Sequence, residues 1–376
     1  MRLNVVYHYH NMILIALFAG LAASAQSPPI IDTHNDVTSR TLRGADLGVK
    51  STEGHTDAPR MREGGVTATF FAVYVGGDYV KDHRAAHRAL EMIDTVRYDI
   101  VYKHPKDFQL ALTAADIGAA RKKHKIAALM GLEGGHAIED SLRLLRDYYA
   151  LGIRYMTLTH ANTNTWADSS GDLNDDKVQR HNGLTAFGRE VIGEMNRIGM
   201  MVDISHVADK TFWDVLEVSR APVFASHSSC RALSNIARNM TDEMIAALAK
   251  KGGVVQINFG CEFLSQKSAD TSTWTNPKLK ELKPEPKMVP AVLDDVVAHI
   301  DHVRKLAGID AVGIGTDYDG VECTPVGLED VSKFPALTRA LKAKGYKDAD
   351  IRKIYGGNVL RVMRAVEKES ARRAGV

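Results

Sequence analysis

The chain has 376 residues, 45 % of them hydrophobic and 25 % charged, which is ordinary globular composition with enough apolar material for a large core. A net charge of +2 and the lack of any basic run interleaved with aromatics argue against a nucleic-acid partner. Three cysteines are too few for a disulfide scaffold, and their odd number leaves at least one thiol free within a single chain. They read as small, semi-buried residues.

The first 25 residues carry one basic residue, Arg2, and no acidic ones. Met12 to Ala22 is an apolar run too short to span a bilayer, and Ala23-Ser24-Ala25 is a small-x-small cleavage sequence. The reading is a secretory signal peptide over 1–25, cut before Gln26, and hence a secreted, periplasmic protein. Residues 26–376 then read as one domain. The polar C-terminus, Glu367 to Val376, offers no lipid-anchor signal.

Strand-like apolar runs alternate with helical patterns from Ile30 onward. Eight strands are expected: Ile30 to His34, Val66 to Val75, Ile126 to Leu132, Ile153 to Thr159, Met200 to Ile204, Pro222 to Ser226, Val254 to Phe259 and Ala311 to Thr316. Helices are expected at Asp82 to Tyr102, Ile138 to Leu151, Leu184 to Ile198 and Leu293 to Leu306. Eight strands each followed by helix indicate a parallel sheet, and eight is the number that closes a (β/α)8 TIM barrel. An open doubly wound sheet is the alternative, but no Gly-x-Gly-x-x-Gly follows the first strand. Three connections are long: Thr38 to Glu63, His160 to Gly183 and Gly260 to Pro290. All follow strands, on the face where barrels keep their active sites, so they read as lids, substrate walls or, for the third, a flexible insertion.

The strand ends carry the chemistry. His34 and Asp36 are two apart, so a strand projects both to one side. Later strands end in Glu133, His160, His206, His227 and Asp317. Each alone is a commonplace loop residue, and Asp317 or Asp319 would also serve as helix caps. Together, in a closed barrel, they converge on one mouth. Imidazole and carboxylate donors without cysteine suit a catalytic metal site. Five such ligands, His34, Asp36, Glu133, His206 and His227, exceed the three of an open mononuclear zinc site, and two metals sharing a carboxylate would accommodate them.

In order and spacing, several motifs resemble those of the membrane (renal) dipeptidase family of dinuclear zinc peptidases, within the amidohydrolase-like barrels. They are Asp32-Thr33-His34-Asn35-Asp36, Gly131-Leu132-Glu133-Gly134-Gly135, Leu158-Thr159-His160-Ala161-Asn162 with Trp166-Ala167-Asp168, Asp203-Ile204-Ser205-His206, Ser226-His227-Ser228-Ser229, Arg238-Asn239, and Gly315-Thr316-Asp317-Tyr318-Asp319-Gly320. The resemblance runs from about Ile30 to Glu367.

The resemblance implies two Zn2+ per chain, although such a donor set does not by itself select zinc over other divalent metals. It implies that His34 and Asp36 hold one ion, His206 and His227 the other, and that Glu133 bridges them. It implies hydrolysis of dipeptides, including those with a C-terminal D-residue, through a metal-bridging hydroxide. His160 would polarise the scissile carbonyl, Asp317 would shuttle the proton, and Arg238 would hold the substrate's carboxylate. Without the resemblance, Arg238 reads as a surface arginine preceding a helix. A homodimer is also implied. Where some relatives carry a substrate-contacting tyrosine after the seventh strand, this chain has Phe263 by spacing. Cys230 and Cys261 fall in active-site loops and suggest thiol sensitivity. The rival readings are a barrel deaminase or lactonase, and a periplasmic binding protein without chemistry.

Overall fold

The computed structural model describes residues 29–284 and 287–374. The expected signal peptide lies outside these residues. Among the described residues nine parallel strands are formed: β1 (Ile30–Asn35), β2 (Val66–Tyr74), β3 (Phe108–Leu110), β4 (Ile126–Glu133), β5 (Ile153–Thr157), β6 (Met201–Asp203), β7 (Phe224–Ser228), β8 (Val254–Ile257) and β9 (Val312–Ile314). Eight of them run in the order β1-β2-β4-β5-β6-β7-β8-β9. The ring is completed where Asp317 N donates to His34 O and Asp36 N donates to Tyr318 O, at 3.1 and 2.8 Å. This is the expected (β/α)8 barrel. The unexpected β3 pairs with β4 outside the ring and has only three residues.

The sheet sorts neighbouring side chains to its two faces. Phe70 and Phe71 are both fully buried, yet they belong to different apolar clusters. Phe71 packs outward edge-on to Phe108, with ring centres 5.9 Å apart. In a second layer, Phe70 lies 5.3 Å from Tyr155, which in turn lies 5.4 Å from Phe224. Burying each such ring stabilises the fold by about 1.5–3 kcal/mol. The helices form where caps and an apolar face coincide. Ala186–Ile198 starts on Thr185, whose side chain accepts from Gly188 N, and ends on left-handed Gly199. It buries Val191, Ile192 and Met195. The helix expected from Asp82 begins instead at Ala85, because His83 adopts a left-handed φ of 50°.

The first long connection is fastened rather than free. Asp319 Oδ1 accepts from His55 N at 2.9 Å, and Arg40 Nε lies 3.3 Å from the same oxygen. Arg60 pairs with Asp57 at 2.6 Å and with Asp330 at 3.2 Å. The second is also pinned. Ser170 N and Oγ both donate to His206 O, and Asp168 accepts from His181 N and Gly183 N. The third is not a bare insertion, since it carries short helices at Cys261–Leu264 and Gln266–Thr271.

The cysteine reading needs correction. Cys261 and Cys323 form a disulfide between the connections that follow β8 and β9, and Cys230 is the free, buried thiol. The partners are 62 residues apart, and the pairing of β8 with β9 brings their connections together. Cys261 therefore has no thiol to react, and burial pushes the Cys230 thiol well above its ordinary range. That removes the expected thiol sensitivity.

Candidate metal centre and active site

Each candidate side chain leaves the barrel at the C-terminal end of a strand. His34 lies in β1 and Asp36 just after it, Glu133 ends β4, and His227 lies in β7. His160, His206 and Asp317 each stand three residues beyond β5, β6 and β9. His206 and Asp317 sit at left-handed φ of 69° and 61°, a costly conformation for residues with a side chain. The conformation turns both side chains back over the mouth.

Glu133 is the centre of the arrangement. Its Oε2 lies 3.4 Å from His34 Nε2, and Asp36 Oδ2 is 3.2 Å from the same nitrogen. Its Oε1 lies 3.0 Å from His206 Nε2, 3.3 Å from His227 Nε2 and 3.9 Å from His160 Nε2. The His34 and His227 rings stack at 3.7 Å. Three overlapping triads have donor atoms within 4.8 Å of one another: His34, Glu133, His227; Glu133, His160, His206; and His34, Asp36, Asp317.

This donor set fits divalent cations. His34 Nε2 is buried and makes no hydrogen bond, although two carboxylate oxygens stand near it. His206 Nε2 and His227 Nε2 face each other at 3.0 Å. Imidazole and carboxylate atoms that converge in this way leave a place for positive charge between them.

The outer nitrogens of the rings are also held. His34 Nδ1 is 2.6 Å from Tyr155 Oη, and His227 Nδ1 is 2.6 Å from Ser226 Oγ. Gly131 makes the first contact possible. A Cβ at that position would lie 1.9 Å from Tyr155 Cζ, so only glycine lets the ring cross to His34.

The charges shift one another. Burial alone would raise the Glu133 carboxyl, but the charge of His34 and the adjoining His206 and His227 imidazoles hold it well below its ordinary range. Burial, and then the charge of Asp36, pushes Asp317 well above the carboxylate range. Asn258 Nδ2 donates to Asp317 Oδ2 at 2.8 Å. Burial, followed by the charge of Arg238, lowers His160, so its imidazole is neutral near pH 7.

Arg238 is not the surface residue that its sequence context indicates. It is 5 % exposed, and burial pulls its guanidinium down to about 10. It donates to Ser228 Oγ and His227 O, each at 3.2 Å, and its Cζ lies 5.2 Å from the Phe263 ring. Among the described residues no carboxylate lies within ion-pair distance of it. Arg238 is thus a buried cation beside the mouth that none of the described carboxylates contacts directly. All eight candidate residues are brought together. Sequence reasoning assigned no role to Tyr155, Asn258, Asp203 or Tyr74. Tyr74 pairs in register with Glu133 and packs edge-on to His160 at 4.8 Å.

A closed (β/α)8 barrel whose mouth gathers histidines and carboxylates belongs to the class of barrel metallohydrolases. Residues 22–375 match the family model described as membrane dipeptidase, peptidase family M19, and the chain belongs to that family. It is a metallo-dipeptidase. It is 37 % identical to an uncharacterized dipeptidase of Schizosaccharomyces pombe, over 90 % of this chain and 80 % of that protein. Among solved structures, it is similar to a metallo peptidase of Rhodobacter sphaeroides liganded with a phosphinate mimic of the dipeptide L-Ala-D-Ala. That match has a TM-score of 0.77 and 27 % identity, over 90 % of this chain and 99 % of the other. The "probable dipeptidase PvdM" of Pseudomonas aeruginosa matches with a TM-score of 0.79 and 26 % identity, over 91 % and 96 % of the two chains.

Proposed function

We propose a secreted dinuclear zinc dipeptidase that accepts dipeptides with a C-terminal D-residue. The observation that carries the two-ion reading is the division of Glu133, with Oε2 toward His34 and Asp36 and Oε1 toward His206 and His227. In this reading His34 and Asp36 hold one ion, His206 and His227 the other, and Glu133 reaches both. The ions would supply Lewis acidity and an activated water.

The remaining roles belong to the chain. Arg238 takes the substrate's terminal carboxylate as a planar two-toothed donor, which its buried, anion-free position favours. This places the scissile bond one residue from the C-terminus. His160, neutral and 22 % exposed at its side chain, points a donor at the carbonyl oxygen as negative charge develops. Asp317 takes the proton of the attacking water and hands it to the leaving amine. Its raised pKa suits a carboxyl that must hold a proton for part of the cycle. Acceptance of a C-terminal D-residue is supported by the Rhodobacter sphaeroides neighbour and its L-Ala-D-Ala mimic. Secretion is supported by the Cys261–Cys323 disulfide, a bond that persists in oxidising compartments.

The test is metal content per chain on protein purified without added metal or chelator, followed by a dipeptide panel with L- and D-residues at the second position. About two zinc ions per chain and cleavage of both series are expected. One ion per chain, confirmed by titrating metal back, would overturn the bridged reading.

A further inference from the structure

Asp203 is fully buried in the barrel, and its carboxylate accepts four hydrogen bonds. Oδ1 receives the backbone N–H groups of Ser205 at 3.0 Å and Ser226 at 2.8 Å. Oδ2 receives the hydroxyls of Thr157 at 2.5 Å and Ser226 at 2.6 Å. The Ser226 oxygen in turn lies 2.6 Å from His227 Nδ1.

The direction of this chain follows from donor counting. A carboxylate only accepts, so the Ser226 hydroxyl hydrogen points to Asp203. The Ser226 oxygen must then accept from His227, which puts the ring proton on Nδ1. Nε2 is left with its lone pair, facing Glu133 Oε1 and His206 Nε2. We propose that Asp203 is a positioning residue that acts through Ser226 to fix His227 in the Nδ1–H tautomer, the form able to ligate through Nε2. The ligand role of His227 is the one in the reading above, and this inference rests on it. His34 lacks an equivalent device, because its Nδ1 partner Tyr155 is a hydroxyl that can donate or accept.

Asp203→Asn reverses the chain without removing it. Two backbone N–H groups hold the Oδ1 position and require an oxygen there, so the amide nitrogen takes the Oδ2 position. It then donates to the hydroxyls of Ser226 and Thr157, both of which can accept. Ser226 is forced to donate to His227 Nδ1, and the ring proton moves to Nε2. The outer contacts of residue 203 survive, so the barrel is retained.

The experiment is 15N-detected NMR of histidine-labelled, metal-free protein, together with zinc titration against a competing chelator. In the parent, His227 should show protonated Nδ1, and in Asp203→Asn protonated Nε2. The weaker-bound zinc of the variant should lose about ten- to a hundredfold in affinity, the range seen when outer partners of ligating histidines are removed. Ser226→Ala should give His227 in exchange between both tautomers, with a smaller loss, and it serves if Asp203→Asn does not fold. An Nδ1–H tautomer that persists in Asp203→Asn, or in Ser226→Ala without exchange, overturns the positioning role. A tautomer that switches while both zinc affinities stay at parent values overturns it equally. A parent that binds fewer than two zinc ions, with the tautomer switching as expected, counts against the dinuclear reading and leaves the Asp203 linkage standing.

Discussion

Asn258 donates to Asp317 at 2.8 Å, and the carboxyl held this way stands in the same triad as Asp36 and His34. The packing there leaves no slack. A Cβ at Gly320 would lie 2.4 Å from Asp36 Oδ2 and 2.5 Å from Asp317 Oδ1. The amide of Asn258 can satisfy either a carboxylate or an amide at 317. Asp317→Asn should therefore keep its melting temperature and its metal content while kcat falls by about 10²- to 10⁴-fold, the usual contribution of a positioned acid–base group. Turnover near the parent level would remove Asp317 from the proton path.

Arg238 is a buried cation awaiting an anion, so its loss should be felt by substrate more than by the fold. Arg238→Met keeps the stacking against Phe263 and removes a charge that burial disfavours. It should lower kcat/KM by about thirtyfold or more, from the 2 kcal/mol or greater cost of truncating a buried charged pair. It should also abolish discrimination between a dipeptide and its C-terminal amide. Comparing the two substrates on parent and variant checks this directly.

Gly131→Ala tests the crossing of Tyr155. The new Cβ would collide with the Tyr155 ring, which is itself fully buried among Phe70 and Phe224. Overpacking of this kind costs about 1–3 kcal/mol. Urea unfolding should show that loss. Displacement of Tyr155 from His34 should also weaken metal retention on dialysis. A double variant, Gly131→Ala with Tyr155→Phe, should recover none of the metal retention, because the hydroxyl is gone.

His299 should contribute to the acid sensitivity of the fold. It is fully buried, its Nδ1 accepts from Cys230 N at 3.0 Å, and its Nε2 donates to Leu264 O at 3.0 Å. That pattern requires the neutral ring. Burial, with a smaller push from His302, lowers it from 6.5 to about 4. A depressed folded-state pKa means that the unfolded chain binds the proton more readily. The contribution is therefore complete above pH 6.5 and is lost as pH falls from 6.5 toward 4, by on the order of 3 kcal/mol. His299→Gln should flatten the stability curve over that window. A slope equal to the parent's would assign the effect elsewhere.

The barrel was legible in the sequence because its strands are dense in β-branched and aromatic residues and are punctuated at helix caps. β3 was not, since three residues pairing outside the ring carry no periodic signal. The ligand-type residues were legible because each follows a strand, and parallel strands in a closed ring must end at one mouth. What holds those residues was hidden. Tyr155 and His34 are 121 residues apart, and Asn258 and Asp317 are 59 apart, so only the closed ring reveals the contacts. The burial of Arg238 was hidden for a related reason, and only the resemblance pointed to that residue. Ser228 at the end of β7 and Phe263 in the connection after β8 cover it, and nothing local to residue 238 announces that cover.

The fastening of the first long connection by Asp319, Arg40, His55 and Arg60 bears on the kinetics of encounter. A connection already held by ion pairs and backbone hydrogen bonds requires little further ordering when substrate arrives, so little binding entropy is lost to it. Stopped-flow mixing with a slowly cleaved dipeptide analogue should then give a single association phase, linear in ligand concentration. Cutting the fastening with Asp319→Ala should introduce a second, concentration-independent phase, as the freed segment must settle before the complex is complete.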